Sequence, residues 1–272
     1  MFLGIDIGNT STVIGLYDDD SVIPQNINRY KTDKKCNITK LINTMSMSLK
    51  NVGDYNVISS EITGIAFSSV VPEVNSMYHN LGMKLFNVEP FEIRYDSDFP
   101  IGINYRDIKK LGIDRIVNSV AAHHEYGNGC IVIDAGTAVT IDVLNFDGFF
   151  DGGIISPGIG TMIKALAASA SNLPVIPFEK PDDLIALDTE NALKSGFYYG
   201  WISLIEGLVQ RIEKIYNKEF KIILTGGFAE KIFQEFERKI ILDSLLTMKG
   251  IKYIYHNRYN SKRLKLKKDF IK

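Results

Sequence analysis

Cysteine is scarce in this chain, and its two cysteines, Cys36 and Cys130, lie far apart without a Cys-x-x-Cys pairing. This scarcity argues against both a disulfide framework and a zinc site. No run of about 18 or more apolar residues occurs, so the sequence predicts no transmembrane helix. The N-terminal segment already contains an acidic residue, Asp6, and has no basic region before a long apolar stretch. A signal peptide is therefore not predicted, and we expect a cytoplasmic protein.

Net charge is also small, at −1 from 31 basic and 32 acidic residues. A surface devoted to nucleic acid would need a clear basic excess, so a nucleic-acid partner is not expected. The charge is uneven, because residues 244–272 contain nine Lys or Arg and the single acid Asp269. Such a segment could contact nucleic acid or an acidic partner, but Leu264, Leu266 and Phe270 interleave with the charges. That pattern favours a solvated or loosely packed terminal segment.

The chain contains one short pattern twice. Phe2 to Thr12 and Cys130 to Thr140 each consist of an apolar run, an Asp-x-Gly turn with hydroxyl or amide residues, and the start of a second apolar run. Asp6 and Asp134 are 128 positions apart, as are the other matched residues of the pattern. The apolar runs are short and contain Ile and Val, which predicts buried strands joined by a tight loop.

Such a loop suits a phosphate-bearing ligand. Glycine lets the backbone approach the ligand closely, and amide N–H groups and threonine hydroxyls donate to phosphate oxygens. A carboxylate can hold a hydrated cation beside those phosphates. A single Asp-x-Gly-x-Thr is a weak signal, since an ordinary turn uses the same residues. Repetition in two matching strand contexts favours a nucleotide site and a phosphotransferase.

Two further segments fit this chemistry. Gly226-Gly227 closes an apolar run and precedes a predicted helix, whose N-terminus favours phosphate. Gly112-Ile113-Asp114-Arg115 supplies a carboxylate that could accept a hydroxyl proton and a cation that could offset phosphoryl charge. On spacing alone, a helix cap at Asp114 and a surface ion pair at Arg115 explain this segment slightly better.

The predicted elements alternate between strands and helices and repeat once. This order indicates two α/β domains related by duplication, with a boundary near Gly112 and a ligand cleft between them. The predicted helices are 38–49, 72–86, 114–126, one starting after Gly158, 189–216 with a break near Gly196 to Gly200, and 229–236. The predicted strands beyond the two copies are 62–71, 91–94 and 220–225, with a further strand after the polar turn at 18–21, and a hairpin turn is predicted at Asn145 to Gly148.

The motifs together resemble the type III pantothenate kinases, members of the actin/hexokinase/Hsp70 superfamily. The resemblance rests on Asp6 to Thr10, Gly112 to Arg115, Asp134 to Ala138 and Gly152 to Gly158, in this order, and covers residues 1–257. It implies duplicated ribonuclease H-like domains at 1–112 and 113–257, an interdomain nucleotide cleft and a basic tail at 258–272. It also implies a homodimer that phosphorylates pantothenate to 4'-phosphopantothenate with ATP, the first step of coenzyme A biosynthesis.

The resemblance also implies roles for individual residues. Asp114 would be the proton acceptor, Asp134 would bind K+ or NH4+, and Asp6 would orient Mg²⁺ directly or through water. The residues implied to bind ATP are Asp6, Ile7, Gly8, Asn9, Thr10, Ser11, Thr12, Val13 and Thr137. Those implied to contact pantothenate are Tyr105, Gly112, Ile113, Asp114, Arg115 and Thr189.

The sequence departs from the family pattern at a few positions. Asp188 replaces the usual Asn before Thr189, and Ala135 and Val139 stand where a bulkier residue and a threonine are more common. Two other functions stay open at this point: a kinase for another small hydroxyl-bearing metabolite, and a non-catalytic regulatory relative. The presence of Asp6, Asp114 and Asp134 argues against lost chemistry.

Overall fold

The computed structural model describes residues 1–35, 37–50, 55–170 and 172–269, with side chains except those of 55–57 and 259–269. The predicted absence of a disulfide involves Cys36, which lies outside the described residues. The chain packs into two compact units, the first formed by Met1–Glu125 with Leu245–Lys272 and the second by Tyr126–Ser244. These units follow packing, whereas the predicted domain limits follow the sequence repeat and remain a prediction.

The first unit is built on a five-stranded sheet with the order β3-β2-β1-β4-β5. The central strand β1 pairs with β2 in antiparallel and with β4 in parallel orientation. The elements of this unit are β1 Phe2–Ile7, β2 Ser11–Tyr17, β3 Asn26–Lys31, α1 Ile38–Lys50, α2 Tyr55–Glu61, β4 Gly64–Ser69, α3 Pro72–Phe86, β5 Phe91–Glu92, β6 Gly102–Ile103 and α4 Ile113–Tyr126. The last residue of α4 is counted with the second unit. The first unit also contains α8 Leu246–Asp269, which follows the second unit in the chain.

The second unit repeats this arrangement. Its strands run in the order β9-β8-β7-β10-β11, with β7 antiparallel to β8 and parallel to β10. Its elements are β7 Cys130–Ala135, β8 Ala138–Leu144, β9 Phe149–Pro157, α5 Ile159–Ser169, α6 Thr189–Tyr216, β10 Lys221–Thr225, α7 Ala229–Ile232 and β11 Ile241–Leu242. The predicted duplication is thus present in the strand order and in the direction of each pairing.

The two central strands are buried in the same pattern. In β1 and in β7, every residue is buried except the aspartate in the fifth position, which is partly exposed. Asp6 pairs with Val13 and Ser68, and Asp134 pairs with Thr140 and Thr225, so the antiparallel register of the second hairpin is shifted by one residue. The fold therefore brings both aspartates to the carboxyl end of a central strand, where ligands of open α/β sheets bind.

Most predicted elements are confirmed within a residue or two, and α3 has the predicted limits. Pro72 begins it, and Asn87 ends it in the left-handed conformation at φ 53°, as is common for a helix C-terminus. The predicted break near Gly196 to Gly200 is wrong, because α6 is continuous over 28 residues. Buried side chains such as Trp201 and Ile205 hold its inner face. This burial stabilises the helix despite the low helix propensity of glycine.

Helix α8 is not predicted from the sequence, and its second half falls within the predicted basic tail at 258–272. Ile251, Ile254 and Tyr255 are buried at helical spacing in the first unit, so apolar periodicity was the available signal. The hydroxyl of Tyr17 donates to the carbonyl of Met248 at 2.8 Å, which fixes α8 to the sheet.

No helix among the described residues is long and apolar enough to cross a membrane.

We expect Gly250→Ala to destabilise the protein, because the added methyl group would collide with the backbone carbonyl of Val117 on α4. Overpacking of this kind typically costs about 1–3 kcal/mol. Gly207→Ala in α6 is the matched control, because its methyl group would meet nothing within 4 Å. The measurement is urea unfolding. Equal stability of the two variants would contradict the close α4–α8 packing.

Candidate functional site

The first Asp-x-Gly loop is a tight turn between β1 and β2. The N–H of Gly8 donates to the carbonyl of Ser11 at 3.0 Å, which closes the turn. Asn9 and Thr10 are exposed at its tip, and Ser11 is partly exposed. The side-chain oxygen of Asn9 accepts from Lys34 at 2.8 Å. The loop therefore presents amide, hydroxyl and ammonium groups on its open side, all of which can meet an anionic ligand.

Three other predicted ATP-binding residues, Ile7, Thr12 and Val13, are buried beside this loop. Ile7 and Thr12 are 0% exposed and Val13 is 8% exposed. The Thr12 hydroxyl lies 2.9 Å from the hydroxyl of Thr32. Their side chains thus hold the loop in place, while its polar tip remains open to a ligand.

The second loop is supported by the segment that begins at Gly152. The N–H of Gly136 donates to the carbonyl of Ala138 at 3.1 Å, and Thr137 is exposed. The Thr137 carbonyl accepts from the Gly158 N–H at 3.0 Å and from the Thr161 hydroxyl at 2.8 Å. A side chain at position 158 would collide with the carbonyls of this loop. Close packing against the second loop therefore explains why position 158 is a glycine, which the motif alone did not show.

The Gly226 turn packs directly on Asp134. Gly226 has a φ of +97°, and a Cβ atom there would collide with a carboxylate oxygen of Asp134. The next turn is anchored by the N–H of Phe228, which donates to the carbonyl of Ala135 at 3.0 Å. The second Asp-x-Gly loop and the Gly226-Gly227 turn thus lie together at the carboxyl ends of β7 and β10.

Asp114 lies in the first turn of α4 and is partly exposed. Its carboxylate accepts the N–H of Arg115 at 2.9 Å. Burial raises the pKa of Asp114 above its ordinary value, although the neighbouring Arg115 and these hydrogen bonds oppose the shift. A Cβ atom at Gly112 would lie 2.5 Å from the same carboxylate, so a larger residue there would displace the carboxylate from this position. Arg115 is only 5% exposed, which excludes the surface ion pair considered from the sequence.

The remaining predicted substrate residues have different surroundings. Tyr105 is 38% exposed, in the connection that follows β6. Ile113 is buried in the first turn of α4. Thr189 is exposed at the first residue of α6, where Asp188 caps the helix by accepting the Asn191 N–H at 2.9 Å.

Two of the departures from the family pattern have a structural explanation. Asp188 makes the capping bond that the usual asparagine would also make. Val139 is fully buried in the core of the second unit, so its side chain packs there rather than facing the loop surface.

The carboxylates of Asp6 and Asp134 suit cations that take only one or two ligands from the protein. Among the described residues, no group of three or more His, Cys, Asp or Glu side chains could hold a metal ion. Asp6 and Asp134 each offer one carboxylate at the end of a central strand. Mg²⁺ commonly binds through one or two carboxylates together with substrate phosphates and water, so the available residues fit an ion that arrives with a nucleotide.

A family model described as type III pantothenate kinase matches residues 2–211. The chain belongs to the type III pantothenate kinase family. A type III pantothenate kinase from Sulfurihydrogenibium is 37% identical over 254 residues, which cover 93% of this chain and 99% of the relative. Another, from Halalkalibacterium halodurans, is 36% identical, with 94% of this chain and 98% of the relative covered.

Solved structures support the fold. A protein from Campylobacter jejuni, described as a candidate Baf family transcriptional activator, has a TM-score of 0.60 at 21% identity, with coverage of 95% of this chain and 99% of that chain. An activator of 2-hydroxyisocaproyl-CoA dehydratase from Clostridium difficile, solved with bound ADPNP, has a TM-score of 0.56 at 12% identity, with coverage of 96% and 97%. The predicted actin/hexokinase-like fold is confirmed.

Family membership establishes the reaction. This pantothenate kinase transfers a phosphoryl group from ATP to pantothenate in coenzyme A biosynthesis. The sequence prediction of the enzyme and of its two substrates is confirmed.

We expect Asp114 to titrate above an ordinary aspartate in the free enzyme, because burial disfavours its charged form. Asp188 is the internal control, because hydrogen bonds from Asn191 lower its pKa. Carboxyl carbon NMR, with assignment by the corresponding Asn variants, measures both values. An Asp114 pKa at or below that of Asp188 would contradict the described environment.

Proposed function

We propose that Asp114 accepts the proton of the pantothenate hydroxyl as that hydroxyl attacks the γ-phosphorus of ATP. Its raised pKa supports this role, because a carboxylate with a raised pKa is a stronger base. The base must be deprotonated, so activity should rise with pH through the pKa of Asp114. Gly112 supports the role by leaving room for the carboxylate.

The first loop and Thr137 bind ATP in this proposal. The exposed groups of Asn9, Thr10 and Thr137 donate to phosphate oxygens, together with backbone N–H groups of their loops. Ile7, Thr12 and Val13 contribute by fixing the first loop, as their burial indicates. Ser11 and Gly8 complete the turn. Phosphoryl transfer depends mostly on positioning and charge stabilisation, which such loops can supply.

Two cations complete the proposed site. Mg²⁺ with ATP is oriented by Asp6, directly or through water. A monovalent cation, K+ or NH4+, is held by Asp134, and it adds positive charge where phosphate charge accumulates. The support is the single carboxylate at the end of each central strand. In both strands this aspartate is the one residue that is not buried.

Pantothenate is held in this proposal by Arg115 and by the other residues implied to contact it. Arg115 follows the base directly, and its charge suits the pantothenate carboxylate or the transferring phosphoryl group. Gly112 and Ile113 shape the same turn, while Tyr105 and Thr189 supply hydroxyl groups. The acceptor could on chemical grounds be another small alcohol, but the family and these residues both favour pantothenate.

We also propose that the enzyme is a homodimer located in the cytoplasm. The segment before α6 exposes Leu184, Ile185 and Leu187 at 64, 84 and 100%. Exposed apolar side chains grouped in this way often mark an interface. A second copy of this chain covering them would place the interface beside Thr189, a proposed pantothenate contact. The cytoplasm supplies the ATP that the reaction consumes.

We expect Asp114→Asn to keep the fold and lose about 10²–10⁴-fold in kcat, because the amide cannot accept the proton. Pantothenate-dependent ADP release measures this loss, and circular dichroism checks the fold. Asp147→Asn is the control, because Asp147 is exposed in the hairpin turn between β8 and β9. Near-wild-type turnover of a folded Asp114→Asn enzyme would overturn the assignment.

We expect Leu187→Asp to weaken the dimer, because a charge would have to be buried at the proposed interface. Light scattering after size-exclusion chromatography should show monomer at concentrations where the wild-type chain is dimeric. The control is Ile215→Asp, since Ile215 is 81% exposed near the other end of α6. A monomeric wild-type chain, or a Leu187→Asp variant that stays dimeric, would refute this interface.

A further inference from the structure

Thr32, which follows β3, makes two hydrogen bonds to the first loop. Its hydroxyl donates to the carbonyl of Gly8 at 2.7 Å, and its N–H donates to the carbonyl of Thr10 at 3.0 Å. Thr32 is only 9% exposed, so water does not readily replace these bonds. The two carbonyls flank Asn9, the residue at the tip of the loop.

The hydroxyl of Thr32 is itself oriented by Thr12. Its oxygen lies 2.9 Å from the Thr12 oxygen, and Thr12 is fully buried. A hydroxyl has one hydrogen to donate. Because Thr32 donates its hydrogen to Gly8, Thr12 must be the donor to Thr32. The chain of bonds thus runs in one direction, from Thr12 through Thr32 to Gly8.

These bonds fix the direction of amide groups on the other side of the loop. In a trans peptide the C=O and the following N–H point in opposite directions, and the described residues contain no cis peptide bond. Since the Gly8 and Thr10 carbonyls point toward Thr32, the N–H groups of Asn9 and Ser11 point away from it. Asn9 and Thr10, the exposed residues of the loop, lie between these two N–H groups in the chain.

We propose that Thr32 is a positioning residue for ATP, which aims the Asn9 and Ser11 N–H groups at the phosphates. This inference rests on the proposed binding of ATP phosphates by the first loop. Lys34 strengthens it, because its ammonium group contacts the Asn9 side chain at 2.8 Å. The residues after β3 therefore contact this loop through both their backbone and their side chains.

A purely structural role for Thr32 would predict a different result. A buried hydrogen bond that only stabilises the fold would change the melting temperature without changing the affinity for one substrate. A bond that aims phosphate donors would raise the KM for ATP and leave the KM for pantothenate unchanged. The two substrates of this kinase thus provide an internal comparison.

The test is Thr32→Val, which keeps the branched shape and removes the hydroxyl. We expect about a tenfold increase in the KM for ATP, the change that follows from losing one buried hydrogen bond. The KM for pantothenate should stay within about twofold, and calorimetry should show a matching loss of ATP affinity. Thr32→Ser should restore wild-type values, because serine keeps the donor.

The matched control is Thr44→Val, since Thr44 lines the same small cavity as Thr32 and its hydroxyl donates to the Lys40 carbonyl of its own helix. It should leave both KM values unchanged. An unchanged ATP KM in folded Thr32→Val, or equal changes for both substrates, would overturn the proposal. If Thr32→Val does not fold, Thr12→Val takes its place and should raise the ATP KM; an unchanged value would overturn the proposal.

Asp6→Asn separates failure of this proposal from failure of the ATP site. If Asp6→Asn weakens ATP binding and Thr32→Val does not, the loop binds ATP without help from Thr32. If neither variant changes ATP binding, the proposed location of the phosphates is itself wrong.

Discussion

The structure depends on a central strand in each unit that is hydrogen-bonded on both edges and buried on both faces. β1 and β7 each pair with an antiparallel strand on one side and a parallel strand on the other. Polar side chains are costly in such a strand, so a carboxylate can be accommodated only near its end. This constraint brings Asp6 and Asp134 to equivalent places, and the loops that follow them carry the exposed polar residues Asn9, Thr10 and Thr137.

Glycines pack closely against two of the site carboxylates, Asp134 and Asp114. Gly226 packs against Asp134 and Gly112 against Asp114, at distances that exclude a Cβ atom. Gly158 packs in the same way against the carbonyls of the second loop. Dense packing of this kind removes water from one side of the carboxylate, and at Asp114 the burial raises the pKa. These glycines of the chain therefore have a packing role that is separate from direct ligand contact.

Much of this could be predicted from the sequence. The repeated loop at residues 2–12 and 130–140 predicts the duplication, because strand periodicity and the position of Asp and Gly are local signals. The continuous α6 could not be predicted, because burial of Trp201 and Ile205 outweighs the local effect of Gly196 and Gly200. α8 has a local signal, but the dense positive charge at the end of the chain obscured it.

The candidate site was less predictable than the fold. Thr12 and Thr32 have the same chemistry as Thr10, and only the folded chain shows that two of these hydroxyls are buried and one is exposed. The surroundings of Arg115 likewise depended on tertiary packing, since an arginine beside an aspartate in sequence can equally face solvent, whereas Arg115 is buried. Tertiary packing decides such cases, and no local pattern reports it.

The central claim is that the two equivalent aspartates have different roles, Asp6 toward Mg²⁺ with ATP and Asp134 toward a monovalent cation. The most direct test is pantothenate-dependent ADP release by the wild-type enzyme, Asp6→Asn and Asp134→Asn, each in K+ and in Na+. We predict that the wild type prefers K+, that Asp6→Asn loses activity but keeps this preference, and that Asp134→Asn loses the preference. A wild type indifferent to the cation, or two variants with the same cation response, would contradict the account.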